Sequence, residues 1–207
     1  GTWHHTLVRH GSNAGGIRWV PRDLQVYRDR VTGVDRVFLL LGNPGIISGV
    51  YDPREPSRIR WDRHVEFPFL TKGSFFTRPL GIAEANDALH FSEGSSIFRR
   101  IDGKRPQWEE ILNLAEDTDT DVGGIRGLTA ILNPNGKGQS LLFVWAPGER
   151  AQSQVKRLDP NGKGGYTLHD EANLGQLMNR HLGVQVPYTL GGHNMMYPVP
   201  HPATGEP

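Results

Sequence analysis

The chain has 207 residues, enough to bury a sizeable core, and a single domain is the default. Lys plus Arg number 23 and Asp plus Glu number 22, a near-neutral balance that argues against a dedicated nucleic-acid or polyanion binder. Cysteine is absent, which excludes disulfides, thiolate metal sites and a cysteine nucleophile, and no apolar run approaches the roughly 18–20 residues of a membrane-spanning helix.

The 26 glycines and 15 prolines are scattered, so they read as many turns and not as disorder. The first residue is Gly1, with no signal-peptide pattern behind it. The expectation is a removed leader or a piece of a longer protein.

In chain order, TWHHTLV (2–8) reads as a strand. Four strands follow at 22–28, 35–42, 45–51 and 58–67, then four at 78–85, 88–92, 96–101 and 108–114. Four more lie at 126–132, 140–146, 151–158 and 166–173, and YTLGGHNMMYP (188–198) reads as one further strand. The runs are short, rich in β-branched and aromatic residues, and bounded by Gly, Pro, Asn or Asp, which is strand grammar. Thr32-Gly33 joins the first two strands of the first unit. Asn135-Gly136 and Asn161-Gly162 sit in two copies of the turn sequence PNGKG. Asn-Gly is the strongest short hairpin signal, so tight type I′ turns are expected there. The one helix candidate is LGQLMNRHL (174–182), stopped by Gly183.

The three units are copies of one another. Each third strand runs into an aspartate before Pro or Gly, at Asp52, Asp102 and Asp159, and an aromatic opens the next run at Trp61, Trp108 and Tyr166. Arg-x-Leu recurs at Arg22/Leu24, Arg78/Leu80 and Arg126/Leu128. Self-similarity over several tens of residues marks a repeat architecture. Four antiparallel strands per unit with an aromatic-bearing fourth strand resemble the blades of a β-propeller. The resemblance is to an architecture and to no named family, since the WD40 Trp-Asp signature and the kelch double glycine are both missing. It implies an all-β propeller or partial propeller with blades at about 22–67, 78–114 and 126–173. The 2–8 segment would then be a lone outer strand and 188–198 a lone inner strand. Such a ring is incomplete, so self-association or a partner chain completing it is expected.

On that reading Arg22, Arg78 and Arg126 begin the innermost strands and face the mouth of a central channel. Guanidinium groups grip carboxylate and phosphate, which makes an anionic small molecule the expected ligand. Glu93 and Glu149 are the carboxylates placed to offset them internally. Tyr27, His193 and Asn194 fall on inner strands as further candidate lining. Asp52, Asp102 and Asp159 are expected to form turns through their own side chains. Trp61 and Trp108 are expected at equivalent, substantially buried places.

LVRHGSNAG (7–15) resembles the Arg-His-Gly signature of histidine phosphatases. That resemblance implies His10 as nucleophile, Arg9 on phosphate and His193 as a second histidine. It also implies an α/β fold, whereas the chain is strand-rich. DTDTDVGG (117–124) has alternating aspartates but lacks the Gly and Glu of an EF-hand loop, so a solvated loop is expected. GKGQS (136–140) lacks the spacing of a phosphate loop. The histidines show no metal spacing, and no metal or cofactor is expected. The leading expectation is a binding or interaction scaffold. A propeller enzyme acting on a polar small molecule or sugar is the alternative, and a histidine phosphatase is the third.

Overall fold

The computed structural model describes residues 21–41, 45–55, 59–62, 66–68, 81–115, 124–147, 153–174, 176, 177 and 180. They form thirteen strands in three antiparallel sheets. The first sheet contains β1 (Pro21–Arg28), β2 (Asp35–Leu41), β3 (Gly45–Tyr51), β4 (Ile59–Trp61) and the short β5 (Phe67–Pro68). The second contains β6 (Gly81–Ala85), β7 (Ala88–Glu93), β8 (Ser96–Ile101) and β9 (Gln107–Asn113). The third contains β10 (Gly124–Leu132), β11 (Gln139–Ala146), β12 (Gln154–Pro160) and β13 (Tyr166–Asn173).

The fold is therefore all-β, with three four-stranded meanders close to the bounds expected from sequence. Every strand pairing is antiparallel, unlike the α/β arrangement that the Arg-His-Gly resemblance implies. The expected fourth strand 58–67 is split. β4 and β5 both pair with β3, and Asp62 N–H to Ser48 O and Glu66 N–H to Ile46 O, both 2.8 Å, extend the pairing between them. Leu174, Gln176, Leu177 and Arg180 of the helix candidate have helical backbone. The expected strands 2–8 and 188–198 lie outside the described residues.

Period-two alternation explains the layering. On β6, Ile82 points to the first sheet, where it packs with Tyr27, Phe38, Leu40 and Ile46. Ala83 and Ala85 point the other way, into a second core with Leu128, Leu141, Phe143, Trp145 and Leu158 of the third sheet. The second sheet is thus apolar on both faces, sandwiched between its neighbours. Sheet contacts concentrate on first and second strands: β6 lies against β1 on one side and β10 on the other.

Glycine permits the closest approach. A Cβ on Gly81 would sit 2.4 Å from the Leu128 amide nitrogen, so β6 and β10 meet backbone to backbone. A bulge between Arg126 and Leu128 places Gly127 at φ +61°, a conformation suited to glycine.

The expected Asn-Gly segments do not form the tight turn, which falls in the two-residue gap between the expected strands 78–85 and 88–92. Asn86 and Asp87 have φ of 49° and 61° and form the two-residue β6–β7 hairpin. The two Asn-Gly segments lie in longer loops, between Asn133 and Gly138 and between Asn161 and Gly165. There Asn133 Oδ1 and Asn161 Oδ1 accept backbone N–H groups two residues on, which organises a wider loop. Asn86 tolerates its strained position because Gln139 of the third sheet grips it. Asn86 N–H donates to Gln139 Oε1, and the Asn86 side-chain amide bonds both main-chain groups of Gln139.

Candidate functional site

The starts of β1 and β10 are each tied to the second sheet near one end of β6. Asp23 Oδ2 accepts the Ile82 N–H at 3.1 Å, which ties β1 to β6 one residue beyond Arg22. Ile125 N–H donates to Gly94 O at 2.7 Å, which ties β10 to the β7–β8 turn one residue before Arg126. Arg126 is 4 % exposed and Glu93, beside Gly94, is equally buried. Asp23 is a second carboxylate at this end, unanticipated from sequence. Its burial pushes its pKa up, against the Ile82 and Leu24 amides that pull it down. The Arg22 side chain, Arg78, Glu149, His193 and Asn194 lie outside the described residues, as do Arg9, His10 and Asp117 to Asp121.

Tyr27 does not fit the expected channel lining. It is buried in the core between the first two sheets, and its phenol donates to Asp102 Oδ2 at 2.6 Å. Burial, then Asp102, pushes the phenol pKa up. Alternation requires this placement: Leu24 and Val26 occupy the opposite face of β1 and are exposed.

The three terminal aspartates are not equivalent. Asp52 follows expectation, accepting the Arg54 N–H two residues on. Asp102 instead clamps two sheets together. It accepts Tyr27 Oη and the Arg30 N–H from the first sheet and pairs with Arg100 of its own. Arg100 also reaches Asp29 at 2.9 Å and Glu66 at 2.5 Å, and its guanidinium lies 5.2 Å from the Phe38 ring centre. Burial alone would raise the Asp29 carboxyl, but the Thr32 amide and Arg100 hold it below the usual carboxylate range. A cleft of about 580 Å³ opens beside this network, lined by Arg36, Ser48, Asp62 and Lys104 among others. Arg36 is itself paired with Asp62, so the cations of this cleft are largely matched within the protein.

Asp159 faces the other way. Leu158 points into the core against the second sheet, so Arg157 and Asp159 on either side of it project from the opposite face. Arg100-Ile101-Asp102 and Arg157-Leu158-Asp159 look alike in sequence, yet a one-residue difference in register puts them on different faces. Asp159 accepts Ser140 Oγ at 2.6 Å, Arg157 Nε at 2.7 Å and Asn135 Nδ2 at 3.3 Å, and lies 3.2 Å from His169 Nε2. Burial would raise its carboxyl, but Arg157, Ser140 and Asn135 pull it down to about 2. Ser140, Asp159 and His169 do not make a hydrolytic triad. The serine hydroxyl is spent on the aspartate, and nucleophilic catalysis needs it on the histidine.

Trp108 and Trp61 hold related places on fourth strands, opposite Arg100 and Gly49 respectively. Both are half-buried. Trp108 lies edge-on to Phe91, with ring centres 4.8 Å apart. The deepest described tryptophan is Trp145, 2 % exposed in the second core.

Comparison with known proteins finds no matching family model, no matching curated protein and no matching solved structure. Among the described residues, no group of three or more His, Asp or Glu side chains is placed to hold a metal ion.

Proposed function

We propose that the chain is a binding scaffold of β-propeller type. Its ligand surface lies where the first strands begin, around Arg22, Arg78 and Arg126, and takes an anionic small molecule. The observation that supports this is the packing of β6 against β1 on one side and β10 on the other, with sheet contacts concentrated on first and second strands. Sheets that meet at their first strands and diverge outwards are arranged as blades. The starts of those strands then approach a common axis, and converging cations repel unless anions compensate them. Glu93 and Asp23 supply part of the compensation, and a ligand supplies the rest. The incomplete ring is closed by a second copy or by a partner chain.

A thermal-shift screen of carboxylates, phosphates and acidic sugars tests this reading. An acidic compound should raise the melting temperature of the wild type in a salt-sensitive way, by mass action, and Arg78→Ala should lose most of that response. If no compound stabilises the wild type, or if Arg78→Ala responds equally to all of them, the arginine site should be abandoned.

A further inference from the structure

The far end of the third sheet carries a different site. A cleft of about 650 Å³ lies between its two PNGKG turns, lined by Asn135, Lys137, Asp159, Gly162, Thr167 and His169 among others. We propose that this cleft binds an oxyanion, phosphate or sulfate, between the turns that carry Lys137 and Lys163.

The floor is organised before any ligand arrives. Asp159 is 5 % exposed and fixes groups from three other places: Asn135 on one turn, Ser140 on β11 and His169 on β13. Arg157 is shared between Asp159 and Glu171, so the positive charge that draws an anion comes from the rim. Since His169 turns Nε2 towards Asp159, its Nδ1 edge is directed away from that carboxylate. Rim groups held by a buried partner need little reordering on binding.

The rim is cationic. Lys137 and Lys163 are exposed, and no ion pair among the described residues involves either. Of the neighbouring acids, Asp170 pairs with Lys156, and Glu171 shares Arg157 with Asp159. An ammonium is a compact point charge suited to an oxyanion, and it lacks the planar fork by which arginine grips a carboxylate.

The turns hold the lysines in place. Gly138, Gly162 and Gly164 have φ of 89°, 71° and 83°. The N–H groups of Asn135, Lys163 and Gly165 are spent on Asn133 Oδ1 and Asn161 Oδ1, so the lysine side chains supply the contacts to the anion. Gly138 is also fixed by space, because a Cβ there would lie 2.4 Å from Asn86 Oδ1.

The test titrates inorganic phosphate and sulfate against chloride at matched ionic strength, read by thermal shift and by backbone amide NMR. Saturable binding is expected, with amide shifts centred on residues 135–138 and 161–165. Lys137→Ala and Lys163→Ala should each weaken it about tenfold, the loss of one charge-assisted contact, while Arg54→Ala on a distant loop should not. A phosphosugar that binds more tightly than phosphate identifies a carried monoester as the ligand, and equal binding identifies the free anion. No saturable binding, or wild-type affinity in both lysine variants, overturns the proposal. A response abolished by Arg78→Ala but intact in the lysine variants also overturns it, by assigning the anion to the first-strand arginines instead.

Discussion

Replacing Arg100 with Ala is expected to cost on the order of 3–5 kcal/mol of stability at neutral pH. The Arg100 side chain is 2 % exposed and meets Asp29, Glu66 and Asp102, none of them more than 8 % exposed. Removing it strands three carboxylates in a poorly solvated seam. The loss exceeds that of an exposed ion pair, which is typically about 0–1 kcal/mol, because water cannot replace the missing partner. Part of the deficit should return in acid, as the stranded carboxylates protonate. Urea unfolding of both proteins at neutral and acid pH measures this. A loss below about 1 kcal/mol would mean that the seam is wet and that the first two sheets are held by their apolar core alone.

The second large effect is a loss of stability in mild acid that originates at His90. This residue lies on β7 in the face that meets the third sheet. It is 1 % exposed, with Nε2 3.4 Å from Tyr166 Oη. Burial, and then the nearby Arg99 charge, lowers its pKa from 6.5 to about 4, against a smaller opposing pull from the Ala88 carbonyl. The folded protein therefore favours the neutral ring, and the unfolded chain binds the proton more readily. Stability from this group is complete above about pH 6.5 and falls as the pH drops towards 4, by about 3 kcal/mol in all. His90→Gln should flatten that part of the stability–pH curve even if it lowers the plateau. Wild type and variant showing the same slope between pH 6.5 and 4 would locate the acid sensitivity elsewhere. The Asp159 carboxyl, held near 2, acts only in stronger acid, so the two effects separate.

The strand pattern was legible because each unit alternates strongly and is punctuated by Gly, Pro and Asn. What sequence hid was the register. Asp102 and Asp159 share a local motif, but the face each one serves depends on whether the preceding residue enters the core. Leu158 does so, whereas Ile101 is 46 % exposed. The expected strands 78–85 and 88–92 leave only Asn86-Asp87 between them, but neither residue is glycine, and the positive φ values are sustained by Gln139, distant in sequence. Arg100 shares the Arg-x-Asp pattern with Arg157, but that pattern names none of its partners in the neighbouring sheet. Its role follows from Asp29 and Glu66, which belong to the neighbouring sheet. The arginine positions were found by repetition, and of the three side chains only Arg126 falls within the described residues.

A propeller requires the three sheets to fan out from their first strands as blades do. The cysteine-free chain suits paired spin labels, since each engineered cysteine is the sole thiol of its kind. Label pairs on first strands, Leu24 with Glu84 and Glu84 with Leu132, are compared with pairs on fourth strands, Arg60 with Glu109 and Glu109 with Thr167. Packed sheets stand about 10 Å apart, and blades diverge outwards, so the fourth-strand distances should exceed the first-strand distances by roughly half or more. Equal distances at the two edges would describe a flat stack of sheets, and would contradict both the propeller arrangement and the convergence of the arginines that depends on it.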